Sequence, residues 1–281
     1  PQEQENEYYD DRHLNFILQS ARELNEKLHN VGQHLYCIHA EWIPLLRKIT
    51  AHYNVKHLFS HQETGLDFTY QRDIRTAEWC KENSVQWHEF PQQAVIRGLQ
   101  SRKRWDENWK TFMLGQRFDV NLKDIPQAPQ QIGELFQKEL QSQSSSPFQQ
   151  GGRKQAVQLV SSFLQKRHRK YMSSISQPAL AAETCSRLSP YIAWGCISIR
   201  EVYQSAQAYK KEGKASKRDM NAFQSRLAWH CHMIQKLETE PEMEFRNMND
   251  SFDELRTVKD EAFQQAFFSG QTGFPMIDAS I

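Results

Sequence analysis

Three short apolar runs in the first third of the chain constrain its fold more than any other feature: HLYCI (34–38), VKHLFS (55–60) and VQWHEF (85–90). HLYCI reads as a short buried strand and the other two as strands, and helical periodicity fills the segments around them. Leu14, Ile17, Leu18, Ala21, Leu24 and Leu28 follow the spacing of a one-sided helix, with Gly32 as its predicted stop. Further helices are predicted through Leu45, Leu46 and Ile49 and over 69–82. Strands separated by helices are joined by crossovers rather than tight turns, so they imply βαβ units and a doubly wound parallel sheet covered on both faces. Such a domain usually opens on a strand. This chain opens on a polar tail and a helix, so the predicted sheet is partial.

Beyond Lys123 the pattern changes. KDIPQAPQQ and QSQSSSPFQQGG bracket a short predicted helix and read as an exposed connection. After Gly151 and Gly152 only helical periodicity remains: Ala156, Leu159, Val160, Phe163 and Leu164 share a face, and Phe223, Leu227, Ile234 and Leu237 share another. Ser198 and Glu201 have capping-box spacing and start a helix running towards Lys210, before the basic loop KKEGKASKRD. The fold class is therefore α/β plus all-α. A partial α/β domain is expected over 1–95, an interdomain connection over 96–150 and a partial helical domain over 151–281.

Charge divides the chain in the same way. Gly151 to Gln235 carries 14 Lys and Arg against 4 Asp and Glu, while the remainder is net acidic. A solvated helical surface and a polyanionic partner account equally for that basic segment. No stretch is apolar enough for a membrane span, and the polar N-terminus is no signal peptide. The five cysteines have no CxxC spacing, which predicts a reducing, cytoplasmic setting.

The stretch ETCSRLSPYIAWG (183–195) carries the first chemistry. Ser189 is the predicted cap of a helix with Pro190 at its first position, where the missing N–H costs nothing. Free N–H groups and the helix dipole favour an anion there. Ser186 and Ser189 add hydroxyls and Arg187 adds charge. Alone this is a weak signal, since Ser-Pro helix starts are common.

With its surroundings, the stretch resembles the photolyase/cryptochrome flavoproteins. SRLSPYIAWG followed by SIREVY resembles their flavin-phosphate loop and next helix. ETGLDFTYQRDIRTAEWC and WHEFPQQAVIRGLQSRKRW resemble the later part of the antenna-binding α/β domain and its exit. FQSRLAWHCHMIQKLE resembles the substrate-facing helix, and GQTGFPMIDA the Gly-x-Thr-Gly-[Tyr/Phe]-Pro-x-x-Asp-Ala signature. The resemblance implies FAD as cofactor, an antenna chromophore of folate or deazaflavin type, damaged DNA as partner and a monomeric protein. It makes 1–95 an antenna-binding domain and 151–281 an FAD-binding domain. It also implies an internal fragment lacking both ends.

Carried over by resemblance, Cys185, Ser186, Arg187, Leu188 and Ser189 wrap the flavin's ribityl and pyrophosphate, with Cys185 where Thr is common. Tyr171 is the upstream tyrosine that helps, His168 being the second candidate. Phe223 matches a Trp beside the flavin, though plain core packing explains it equally. Trp229 matches a Trp that stacks on a flipped pyrimidine pair, the other reading being a core Trp. Met233 shares that substrate-facing helix. Arg226 stands where cyclobutane-dimer photolyases carry Glu, and His230 where they carry Arg. Lys166, Arg167, Arg169, Lys170, Lys210, Lys211, Lys214, Lys217 and Arg218 are expected phosphate contacts. Zinc at His230, Cys231 and His232 is rejected, because neighbours on a helix diverge.

The expected activity is that of a deoxyribodipyrimidine photolyase-like lyase repairing DNA in light. A cryptochrome-like photoreceptor that signals without repair is the alternative, favoured by Arg226 and His230. A third outcome is a chain that, as given, binds no FAD.

Overall fold

The computed structural model describes residues 10–126, 148–255 and 259–279. It forms two compact units, one ending at Thr239 and the other beginning at Glu240. The short helix expected within the polar connection lies outside the described residues.

The first unit opens with α1 (Asp11–His29), where Asp10 accepts a bond from the Arg12 N–H and Lys27 and His29 occupy the last turn. The inward face is turned from the one the leucines suggest: Asn15, Phe16 and Leu18 are buried while Leu24 is exposed. Phe16 sets this rotation by packing edge-on against Tyr191, 5.0 Å between ring centres.

Next come α2 (Trp42–Thr50), β1 (His57–His61), α3 (Asp67–Glu82) and β2 (Gln86–Phe90). The strands pair in parallel, His57 opposite Gln86 through His61 opposite Phe90. Leu46, Trp79, Cys80 and Val85 form the small core beneath them. Residues 34–38 correct the sequence reading, having no regular secondary structure and not forming a strand. A strand needs a neighbour, and the Leu35 N–H instead donates to the Asn25 side chain at 2.8 Å.

The exit from the sheet is stapled on both sides. Arg97 binds Glu89 at 2.7 Å, Asp73 at 3.4 Å and the Glu63 carbonyl at 2.8 Å. Immediately before it, the Ile96 N–H and carbonyl both bond the buried Gln235 side chain, at 2.8 and 3.0 Å. A helix that the periodicity reading passes over follows, α4 (Trp105–Leu114), burying Trp105, Trp109 and Met113. It lies inside the stretch expected to be connection.

The glycine pair at 151–152 is a docking point rather than slack. A Cβ on Gly151 would sit 2.1 Å from the Phe16 carbonyl, and Gly152 has φ +114°. Glu23 of α1 accepts the Lys154 N–H at 3.1 Å, at the start of α5 (Arg153–Ser162). α5 runs into a wider π-helical turn, Phe163–Arg167. The short helices α6 (Tyr171–Ser174), α7 (Pro178–Thr184) and α8 (Ser189–Ala193) precede α9 (Ile199–Lys211) and α10 (Lys217–Thr239). At the start of α9 the Ser198 hydroxyl caps the Glu201 N–H at 3.1 Å. The Glu201 carboxylate turns instead to Arg153, at 2.8 and 3.1 Å, so the capping box is half used.

In the second unit α11 (Glu261–Phe268) is capped by Asp260, and α12 (Pro275–Asp278) is a single turn.

Candidate functional site

The loop between α7 and α8 is held from several directions. Leu188 is buried in the helical core. Gln149 donates to the Arg187 carbonyl at 3.0 Å, and the buried Tyr191 hydroxyl donates to the Gln150 carbonyl at 2.6 Å. One detail of the sequence reading is corrected: Leu188, not Ser189, is the cap residue, and among the described residues no side chain caps α8. The loop already turns at Arg187, so the first helical residue is Ser189, with Pro190 after it.

That turn creates the chemistry. Arg187 is left-handed (φ 58°) and Leu188 right-handed (φ −93°, ψ −8°). Such a pair curls successive N–H groups to one side as a nest for an anion. Among the described residues, the N–H groups of Ser186, Arg187, Leu188 and Ser189 meet no protein acceptor. Four orphan donors, two hydroxyls and an exposed arginine suit a phosphate group.

Behind the loop, Tyr171, Phe223 and Phe163 form an aromatic cluster. Phe223 lies 4.5 Å from Phe163 and 5.9 Å from Tyr171, and is 2% exposed. Burial pushes the Tyr171 phenol up to about 12, with Cys185 adding to the shift and Arg226 opposing it. Tyr171 thus stands between the loop and α10. His168 is also buried, with Nδ1 3.2 Å from the Phe163 carbonyl.

α10 sorts its residues by face. Met220, Phe223, Gln224, Leu227, Cys231 and Gln235 are buried. Arg226, Trp229 and Met233, spaced three and four apart, form an exposed stripe, with Trp229 at 49% and Met233 at 50% exposure. Trp229 is therefore not a core residue. His232 wedges edge-on between Trp229 (6.0 Å) and the buried Trp105 (5.3 Å), which fixes the exposed indole. His230 departs from the stripe. Its Nδ1 is buried and meets no hydrogen-bond partner among the described residues, and burial pushes its pKa below the ordinary value.

The basic residues divide as well. Lys210 is engaged by Asn221 and Gln224, and Lys214 by Glu212. Arg167 turns inward to the loop. Arg169 and Lys170 come together with Lys214 and Ser216 around a shallow, polar depression of about 420 Å³. Lys166, Lys211, Lys217 and Arg218 are exposed.

In the second unit the GQTGFPMIDA stretch closes on itself. The Asp278 carboxylate accepts the Thr272 N–H at 2.8 Å, the Thr272 hydroxyl at 2.6 Å and the Gly273 N–H at 3.1 Å. The Thr272 hydroxyl bond contributes most to holding that carboxyl below the usual range. Gly270 (φ 65°) and Gly273 (φ 79°) provide the left-handed turns. The spacing of Thr, Gly and Asp is thus a local hydrogen-bonded turn. In the α/β half, a cleft of about 650 Å³ is walled by Trp42, Phe68 and Trp87, with Arg72 and Arg75 beside them.

Residues 1–113 match the family model for DNA photolyase, and residues 223–281 that for the FAD binding domain of DNA photolyase. A deoxyribodipyrimidine photo-lyase of Halobacterium salinarum is 33% identical over 101 residues, 35% of this chain and 21% of the relative. Another, from Alkalihalophilus pseudofirmus, is 26% identical over 181 residues, 64% of this chain and 36% of the relative. The fold is similar to a bacterial class III photolyase from Agrobacterium tumefaciens, with TM-score 0.73 and 18% identity over 95% of this chain and 58% of that one. A Synechocystis cryptochrome is equally similar, with TM-score 0.73 and 18% identity over 94% of this chain and 58% of that one. The chain thus spans little more than a third, at most, of these two curated relatives, and just over half of the solved structures.

Proposed function

Because the chain belongs to the photolyase/cryptochrome family, we propose that it acts in light-driven repair of pyrimidine dimers in DNA, as a lyase using FAD. The observation that carries this reading is the exposed Arg226–Trp229–Met233 stripe, on the same helix that buries Phe223 against Tyr171. Cofactor side and substrate side are then two faces of α10.

Tyr171, Cys185, Ser186, Arg187, Leu188, Ser189 and Phe223 would hold FAD, the nest taking its pyrophosphate. Bound FAD supplies one-electron transfer driven by light. Trp229 gives an extruded base a flat surface to stack on, photolyases being among the enzymes that take their target out of the duplex. Such stacking is worth about 1–3 kcal/mol per base. Arg226 donates hydrogen bonds and positive charge to a pyrimidine pair that has gained an electron, which favours ring opening before the electron returns. Arg169, Lys170 and the exposed lysines position the phosphate backbone without reading sequence. The aromatic-walled cleft of the α/β half is the place for an antenna chromophore.

One observation favours a second reading, a blue-light receptor that does not repair. Arg226 carries donors only and cannot accept a pyrimidine N–H, and His230 points away from the stripe. The deciding experiment illuminates the purified protein, flavin reduced, over DNA carrying a defined cyclobutane dimer or 6-4 photoproduct. Restored bases are expected. Flavin photoreduction without repair would move the protein to the receptor class.

A further inference from the structure

Arg167 is an arginine without a carboxylate. Its guanidinium donates to the Cys185 carbonyl, to the Ser186 carbonyl at 3.3 Å, to the Leu159 carbonyl at 2.8 Å and to the Ser162 hydroxyl at 3.1 and 3.2 Å. Among the described residues no Asp or Glu pairs with it. Burial, and next the charge of Arg187, push its pKa down. The side chain lies along the Phe163 ring, 5.8 Å from its centre.

We infer that Arg167 is the positioning residue of the anion nest: it grips the Cys185 and Ser186 carbonyls from behind, so that the following N–H groups face outward. In a trans peptide the carbonyl and the next N–H point in opposite directions. Two carbonyls drawn to one guanidinium therefore turn the Ser186 and Arg187 N–H groups towards the open side. Only a planar fork with five donors reaches both carbonyls, Leu159 and Ser162 together; an ammonium has three donors on one atom. The π-helical turn contributes by moving Arg167 off the regular helical register, the His168 N–H reaching back to the Phe163 carbonyl at 2.9 Å. Unpaired with any described carboxylate, Arg167 keeps its charge available to an anion in the nest. This rests on the reading that the nest takes the pyrophosphate of FAD, and it assigns a role that the exposed phosphate contacts do not share.

The test compares wild type with Arg167→Lys, Arg167→Gln and Arg167→Ala. FAD affinity is read by flavin fluorescence, inorganic pyrophosphate binding by calorimetry, and loop order by tryptic cleavage after Arg187, mapped by peptide mass without ligand. Both FAD and pyrophosphate affinity should fall roughly tenfold or more in Arg167→Lys, as for loss of charge-assisted hydrogen bonds. Cleavage after Arg187 should accelerate several-fold. Millimolar guanidinium ion should restore affinity to Arg167→Ala, which relief of general destabilisation would not do. Wild-type cleavage rates and affinities in all variants would overturn the inference. If wild type holds no FAD while the loop still opens without Arg167, the flavin reading fails and the positioning role stands.

Discussion

At the scale of single residues, burial separates two roles that the sequence left joined. Trp229 is half exposed, and its ring meets the His232 ring edge-on. Trp229→Ala should therefore leave the melting temperature and flavin content nearly unchanged. It should weaken binding to a dimer-containing oligonucleotide by about 1–3 kcal/mol, roughly five- to 150-fold in Kd. A fluorescence titration checks this, with Trp229→Phe retaining most of the affinity.

His230 makes the opposite prediction, on stability. Its folded-state pKa is depressed by burial, so protons bind the unfolded chain more readily than the folded one. The stability it contributes is complete above the unfolded-chain pKa of about 6.5 and is lost as pH falls. Denaturant midpoints measured between about pH 8 and pH 5 should decline on the acid side. His230→Leu should decline less. Of the candidate residues, the loop was legible because its types and order are chemical. Arg167 was not, because a guanidinium reaching across 18 residues of chain to the Cys185 carbonyl is a tertiary fact. In the sequence it was one more cation in a basic run.

At the scale of elements, α1, α2, α3, β1 and β2 are where periodicity puts them, within a few residues. The exceptions share a cause. Residues 34–38 have the composition of a strand, but a strand is defined by what it pairs with. Trp105, Trp109 and Met113 carry a readable four-residue spacing, yet they sit in a polar context that hid them. Gln235 was wholly opaque, because polarity predicts exposure and this side chain is fully buried. It bonds both groups of the Ile96 residue. Gln235→Leu fills similar volume and strands that donor and acceptor. It should cost about 1–3 kcal/mol in urea-measured unfolding, whereas Gln235→Glu should keep the bond to the Ile96 N–H.

At the scale of the whole molecule, the proposal that DNA meets the basic segment carries a prediction about salt. Replacing Arg169 and Lys170 together with Gln should weaken binding to damaged and undamaged duplex alike. For every phosphate no longer neutralised, the slope of log affinity against log salt should become shallower by about 0.9. Unequal weakening on the two DNAs would mean that these residues read the lesion.

The double staple at the sheet exit has one more consequence. Arg97 is tied to Glu63, Asp73 and Glu89 on one side, and its neighbour Ile96 is tied to α10 on the other. At residues 96 and 97 the covalent link between the halves is thus a bracket tied to both. Excitation passing between two pigments depends steeply on their separation and on the angle between their transition dipoles. Pigments mounted on either side of such a bracket would keep one separation and one angle, so each absorbed photon would meet the same coupling.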